Sequence, residues 1–325
     1  MDVEQILSIE RPILVAQTHP VETYEYIIDT LTIVNLYNTI EKWIMNKLPG
    51  AIIYGDPRLG KTYAVKYLKR LFTLDDQIKL PIFSFNCRAM QRPNENAFFS
   101  YLLKDLEHEL HEKGNAIQKR NRVFQYLLSS GLNSRRKQVL LFIDDAQRLN
   151  TIEYEWLMDI FNDLDKYDIK LTSILIGQSD LKLKRNSMTE TKQRQIIGRF
   201  MVHQYQFTGI ISKDYLAYLL MGYDEATEYP VNSKWSYTRY YFPLGFSKGK
   251  RLVRSVDDIW TVFEEVHQKM RKNVQIEIPM YYMTNIINDV FRTYGSDGEN
   301  LEWITIRHWR EIIINSSYQD FIESI

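Results

Sequence analysis

The chain has 325 residues, 45% hydrophobic and 25% charged, which describes a folded globular protein and excludes a disordered one. Lysine plus arginine equals aspartate plus glutamate at 41 each, so any nucleic-acid contact must come from a local basic surface rather than from net charge. One cysteine, Cys87, excludes an internal disulfide framework and a thiolate metal cluster and suits a reducing cytoplasm, and no apolar run approaches the ~20 residues of a membrane span.

The N-terminus, Met1-Asp2-Val3-Glu4-Gln5, lacks the basic head and apolar centre of a signal peptide. From Val21 to Leu48 apolar residues recur at three- and four-residue spacing, predicting one or two helices; the β-branched run Thr30–Val34 also suits a strand. Pro49-Gly50 ends this stretch, and Ala51–Tyr54 reads as a buried strand.

Gly55-Asp56-Pro57-Arg58-Leu59-Gly60-Lys61-Thr62 then fits the phosphate-loop pattern G-x-x-x-x-G-K-[ST], and Tyr63 to Phe72 continue as a helix. A turn between strand and helix aims backbone N–H groups and the positive helix end at phosphates. Gly55 to Tyr63 are therefore the expected nucleotide-binding residues, with Lys61 reaching the β- and γ-phosphates and Thr62 a magnesium ion.

Leu80 to Cys87 predicts a second strand. Asn94-Glu95-Asn96 opens a helix running towards Gly114, and a further helix covers Ala116 to Leu128 and closes at Gly131. Gln138 to Asp145 is an unalternating apolar run ending in two acids, as expected of a strand buried on both faces of a parallel sheet. In this Walker B pattern Asp144 would hold magnesium and Asp145 would polarise the attacking water. Between Thr62 and Asp144 lie a strand and two helices, which argues for the additional-strand division of phosphate-loop ATPases.

Glu153 to Leu164 predicts a helix and Ile169 to Gln178 another buried strand, whose end places Gln178 either as a γ-phosphate sensor or as an ordinary strand cap. Lys192 to Phe200 is a basic helix end leading into a last strand, Phe200 to Phe207. Arg199, in preference to Arg194, could project to the γ-phosphate of a neighbouring subunit; otherwise it is a solvated helix end. Ile211 to Leu220 reads as helix. Residues 222–250 are rich in aromatics with interspersed prolines, glycines and cations, predicting an irregular insertion or hairpin that packs locally or stacks on a nucleic acid or protein partner. Three helical stretches follow, Arg251–Met270, Met280–Phe291 and Trp303–Ile322; Arg251 or Arg254 could approach the nucleotide from this lid. The six histidines, at no zinc-like spacing, read as surface residues. The expected domains are thus a helical extension over 1–48, a nucleotide-binding core over 49–209, and a helical lid over 210–325.

That order of motifs resembles the AAA+ ATPases, an α/β class with a central parallel sheet flanked by helices. Phe142-Ile143-Asp144-Asp145-Ala146-Gln147-Arg148-Leu149 resembles the I-D-E-A-[QH]-R-L stretch of the TnsC and TniB transposition regulators, with MuB, IstB and ExeA-type ATPases more distant. The resemblance implies ATP and Mg2+ as cofactors and a homo-oligomer, ring or helical filament, built on double-stranded DNA. It implies recruitment of a transposase with a target-selection protein, and disassembly on hydrolysis. By the same resemblance Gln178 matches the sensor and Arg199 the arginine finger. Basic residues lining the inside of such an oligomer would be Lys119, Arg120 and Arg122, then Arg88. Asp145 stands where the family carries glutamate, one methylene longer, which implies slow hydrolysis. The alternatives are an ATPase acting on protein, of the secretion or remodelling type, or an ATP-binding scaffold with negligible turnover.

Overall fold

A computed structural model describes residues 10–75, 78–269 and 275–324. In chain order the elements are α1 (Pro20–Thr23), α2 (Leu31–Met45), β1 (Gly50–Tyr54), α3 (Lys61–Leu74), β2 (Ile82–Asn86), α4 (Glu95–Asp105), α5 (Ala116–Leu132) and β3 (Gln138–Asp144). They continue as α6 (Thr151–Asp165), β4 (Lys170–Gly177), α7 (Ser179–Glu190), α8 (Arg194–Phe200), β5 (His203–Gln206) and α9 (Lys213–Met221). After these come α10 (Tyr237–Tyr241), α11 (Pro243–Ser247), α12 (Val256–Lys269), α13 (Met280–Tyr294), α14 (Ile306–Asn315) and α15 (Tyr318–Ser324).

The chain divides into two compact units. One comprises Asn35–Pro57 and Lys61–Phe207; the other comprises Met1–Val34, Arg58–Gly60 and Thr208–Ile325. The first holds a parallel sheet in the order β2-β3-β4-β1-β5. Strands β1, β3 and β4 are apolar and buried almost throughout because helices cover both faces. Register fixes which strand ends meet: Tyr54 is level with Gly177 and Gln206, Ile143 with Leu175, and Asn86 with Asp144. The phosphate loop after β1, the acids ending β3 and the residues after β4 therefore share the carboxyl edge, where ligands of α/β sheets bind.

Short polar side chains set the helix starts. Asn94 caps α4 by accepting from Ala97 N–H, while Asn115 with Gln118 and Asn150 with Glu153 form reciprocal capping boxes on α5 and α6. Phe98, Phe99, Leu102 and Leu103 recur on one face of α4 and are buried. Helix α4 ends at Asp105 rather than near Gly114, and Gly131 lies inside α5 rather than closing it. Gly50 is required by close approach: a Cβ there would lie 2.4 Å from the Arg199 carbonyl and 2.7 Å from the Phe200 Cα.

The second unit is helical among the described residues, apart from an isolated bridge between Ile210 and Ile278. Its core is strongly aromatic, built from Tyr223, Trp235, Tyr240, Tyr241, Phe242, Tyr282, Phe291, Trp309 and Tyr318. The 222–250 stretch thus packs locally, as π- and α-turns rather than a hairpin, and Thr30–Val34 runs into a helix rather than a strand. Two histidines depart from the surface expectation. His267 is buried and hydrogen-bonds the Tyr318 hydroxyl; His19 is 3% exposed inside a box of Tyr229, Tyr237, Tyr240 and Tyr241, with ring centroids 4.6–5.2 Å away. Both owe their burial to aromatic partners distant in sequence, which spacing rules do not reveal.

Candidate functional site: a phosphate-binding edge

Strand β1 delivers the chain at Tyr54 into the loop, and α3 begins at Lys61, so the loop residues sit at a helix N-terminus with free N–H groups. Gly60 has φ +103°, a conformation that favours glycine, and Arg58 adopts φ 66°. Leu59 is buried; Asp56, Pro57 and Arg58 are exposed. Lys61 Nζ donates to the carbonyls of Gly55 at 2.7 Å and Asp56 at 2.6 Å, folding its ammonium back over the loop. Tyr63, 59% exposed, carries the Lys66 ammonium 5.5 Å from its ring centroid. Within its own unit, the Arg58 guanidinium donates to the Tyr282 hydroxyl and lies near the Tyr281 and Tyr282 rings.

Thr62 Oγ1 donates to Asp144 Oδ2 at 3.2 Å, joining the first turn of α3 to the end of β3. Asp144 Oδ1 accepts the Asp145 N–H at 2.9 Å. Burial pushes the Asp144 carboxyl above its ordinary range; these two hydrogen bonds and Lys61 pull the other way, while the Asp145 charge adds to the rise. A cation beside this hydroxyl and carboxylate would favour the ionised form. The pair are hard oxygen donors of the kind magnesium takes, too few to form a cage without phosphate oxygens and water. Among the described residues no group of three or more His, Cys, Asp or Glu could hold a metal on its own.

Asp145 has left-handed backbone angles, φ 52° and ψ 35°, and opens the single turn Ala146–Arg148. Its carboxylate accepts from Gln147 Nε2 at 3.2 Å and pairs with Arg148 at 3.3 Å. Lys184 donates to the carbonyls of Gln147 and Leu149, pinning this segment to α7, and burial lowers the affinity of Lys184 for its proton. Gln178 is exposed at the N-terminal boundary of α7, with no side-chain cap bond, on the phosphate edge. Its neighbour Ser179 donates to Asp56 Oδ1 at 2.6 Å and so ties the loop to the start of α7. Sequence reasoning missed Ser179, Gln147, Arg148 and Lys184. Only adjacency to Gln178 and Asp145 hinted at the first three, and nothing hinted at Lys184.

Other expected site residues lie elsewhere. Arg199 ends α8 at the amino edge of the sheet, its backbone against Gly50, its guanidinium donating to Asn162 Oδ1 at 3.2 Å; this is the edge opposite the phosphate loop. With Lys47, Lys170 and Asp165 it rims a cavity of about 200 Å³. Any action of Arg199 on a phosphate therefore requires a second chain. Arg251 is half-buried, stacked 3.5 Å from the Phe246 ring centroid and bonded to the carbonyls of Phe246 and Lys250. Lys119 is buried at 4% exposure. Arg120 pairs with Asp159 and Glu95; Arg122 donates to the carbonyls of Leu110 and Lys113; Arg88 pairs with Asp105 and lies over Tyr101. All of these but Lys119 could meet a duplex only in competition with those contacts. Cys87 is a buried free thiol whose pKa burial drives upward, so it is inert packing.

A family model described as an AAA domain matches residues 49–184, from the start of β1 into α7. No curated protein matches the sequence. Among solved structures, the ORC2 protein of Aeropyrum pernix in ADPNP–ADP complexes is similar over 92% of this chain and 72% of its own, at 14% identity and TM-score 0.51. Drosophila ORC bound to DNA is matched over 97% of this chain and 71% of that one, at 14% identity and TM-score 0.48. At such identity the likeness to ORC2 speaks to fold. With a five-stranded parallel sheet, a phosphate loop after β1, paired acids after β3 and a helical C-terminal region, this chain has the AAA+ fold.

Proposed function

We propose that this chain is an ATP-gated regulator of transposition that assembles on double-stranded DNA. In this reading it binds ATP with magnesium, forms a ring or helical filament in the cytoplasm, recruits a transposase with a target-selection protein, and disassembles on hydrolysis. The observation that carries the nucleotide part is the Thr62–Asp144 bond at 3.2 Å beside Lys61, which joins the phosphate loop to the acids of β3. The ADPNP–ADP complexes of the similarly folded ORC2 protein support it. The transposition part rests on the resemblance of Phe142–Leu149 to the TnsC and TniB stretch. Residues 49–209 serve as the nucleotide-binding core and 210–325 as the lid. No helix among the described residues is long and apolar enough to cross a membrane.

Lys61 balances the charge of the β- and γ-phosphates, and the loop and α3 N–H groups hold their oxygens. Thr62 and Asp144 would hold magnesium, which when bound neutralises phosphate charge. Asp145 orients a water and accepts its proton as oxygen attacks the γ-phosphorus, the bond to the β-phosphate oxygen breaks, and ADP and phosphate leave. Gln178 contacts the γ-phosphate or that water, and Arg199 reaches the γ-phosphate held by a neighbouring copy. The short, tethered Asp145 favours one other reading, an ATP-binding scaffold with negligible turnover.

Fluorescence anisotropy of duplex DNA across a salt series, with ATP, a non-hydrolysable analogue or ADP, tests this function. Cooperative, salt-sensitive binding that needs ATP and is lost in Lys61→Ala is the expected result. Nucleotide binding without DNA association in any state overturns the transposition reading and leaves a protein-directed ATPase or scaffold.

A further inference from the structure

Arg148 is the charged residue of the phosphate edge that the hydrolytic scheme leaves without a task. Its guanidinium pairs with Asp145 Oδ2 at 3.3 Å and donates to the Cys87 carbonyl, just past β2, at 3.3 Å. Gln147 occupies the other carboxylate oxygen, Oδ1, at 3.2 Å. Both oxygens of the expected water-polarising acid are thus held by its own next turn. The backbone beneath is left-handed, a conformation kept only where surrounding contacts enforce it.

Sheet order gives this tether a direction. Strand β2 flanks β3 on one side, whereas β4 and then β1, which carries the phosphate loop, lie on the other. Neighbouring strands are about 4.8 Å apart, so the loop stands roughly two strand spacings from β3 on the side opposite Cys87. Arg148, anchored at Cys87, therefore holds the Asp145 carboxylate towards β2 and away from the γ-phosphate.

We propose that Arg148 is a positioning residue that restrains Asp145, so that turnover proceeds from molecules in which this ion pair has opened. The proposal rests on the ATPase reading above. Arg148 is 45% exposed and Asp145 33% exposed, and ion pairs at such exposure are weak. The restraint accordingly sets a rate rather than abolishing activity, and removing it raises turnover about two- to fivefold.

The test uses the full chain as wild type, Arg148→Ala and Arg148→Lys, comparing steady-state hydrolysis with binding of a fluorescent ATP analogue. Arg148→Ala should raise kcat about two- to fivefold with KM and analogue affinity unchanged, and Arg148→Lys should return kcat to near wild type. A readout without nucleotide is the side-chain Nε NMR signal of Arg148, identified by its loss in Arg148→Lys; it should shift in Asp145→Asn. A kcat for Arg148→Ala at or below wild type with analogue binding intact overturns the proposal, as does an Arg148 signal indifferent to Asp145→Asn. Failure of the wild type to bind the analogue would instead defeat the ATPase reading itself.

Discussion

Acid should unfold the helical unit through His19. The ring accepts the Val21 N–H on Nδ1, stacks on Tyr240 at 4.6 Å and is enclosed edge-on by three further tyrosines. Burial first, and then the nearby Arg11 guanidinium, lower its pKa from 6.5 to about 4, against a smaller opposing pull from Asp297. A depressed folded-state value means that the unfolded chain takes up the proton first, so stability is intact above about pH 6.5 and falls as pH drops towards about 4. Between pH 7.5 and pH 5 this linkage removes about 2 kcal/mol. Urea unfolding followed by fluorescence at the two pH values measures the loss, with His19→Phe as reference. Phenylalanine keeps a ring in the box and removes the titration, at a pH-independent cost of about 1 kcal/mol for the missing acceptor. Wild type should lose about 2 kcal/mol more than the variant between the two pH values. Equal losses would refute the argument and assign acid sensitivity to carboxylates elsewhere.

Other substitutions test other parts of the construction. Gly50→Ala places a methyl within 2.4 Å of the Arg199 carbonyl and should lower unfolding stability by about 1–3 kcal/mol, read from urea midpoints. Asp224, buried and accepting the N–H groups of Leu252 and Val253, leaves both unsatisfied when replaced by alanine; a loss of about 2 kcal/mol or more follows. Thr62→Ala should retain binding of an ATP analogue but lose most of its magnesium dependence, measured by titration with and without EDTA.

The phosphate loop and the β3 acids were legible because each is a contiguous string whose context, strand then turn or helix, is also contiguous. The sheet followed from unalternating apolar runs such as Val139–Ile143, which only two-sided burial explains. Contacts made across strands and helices were hidden. Ser179 meets Asp56, and Lys184 meets the carbonyls of Gln147 and Leu149, only once α7 lies against the loop segments. Basic residues misled for a related reason. Lys119, Arg120 and Arg122 look like a solvated cluster in sequence, yet their places on α5 aim one inward and give the others acidic or carbonyl partners. The aromatic run over 222–250 was legible as unusual, but its role as core depended on α13 and α14 supplying the opposite wall.

The segment leading to Val34 belongs to the same compact unit as residues beyond Thr208. On the ribosome, Val21 and His19 emerge first but find their tyrosine and phenylalanine neighbours only after Tyr241 and Phe291 have been made. The sheet unit, by contrast, has its last strand once Gln206 appears. Synthesis therefore favours an intermediate with a folded sheet and an unsatisfied amino-terminal arm, and it is at that stage that this protein most needs shielding from aggregation.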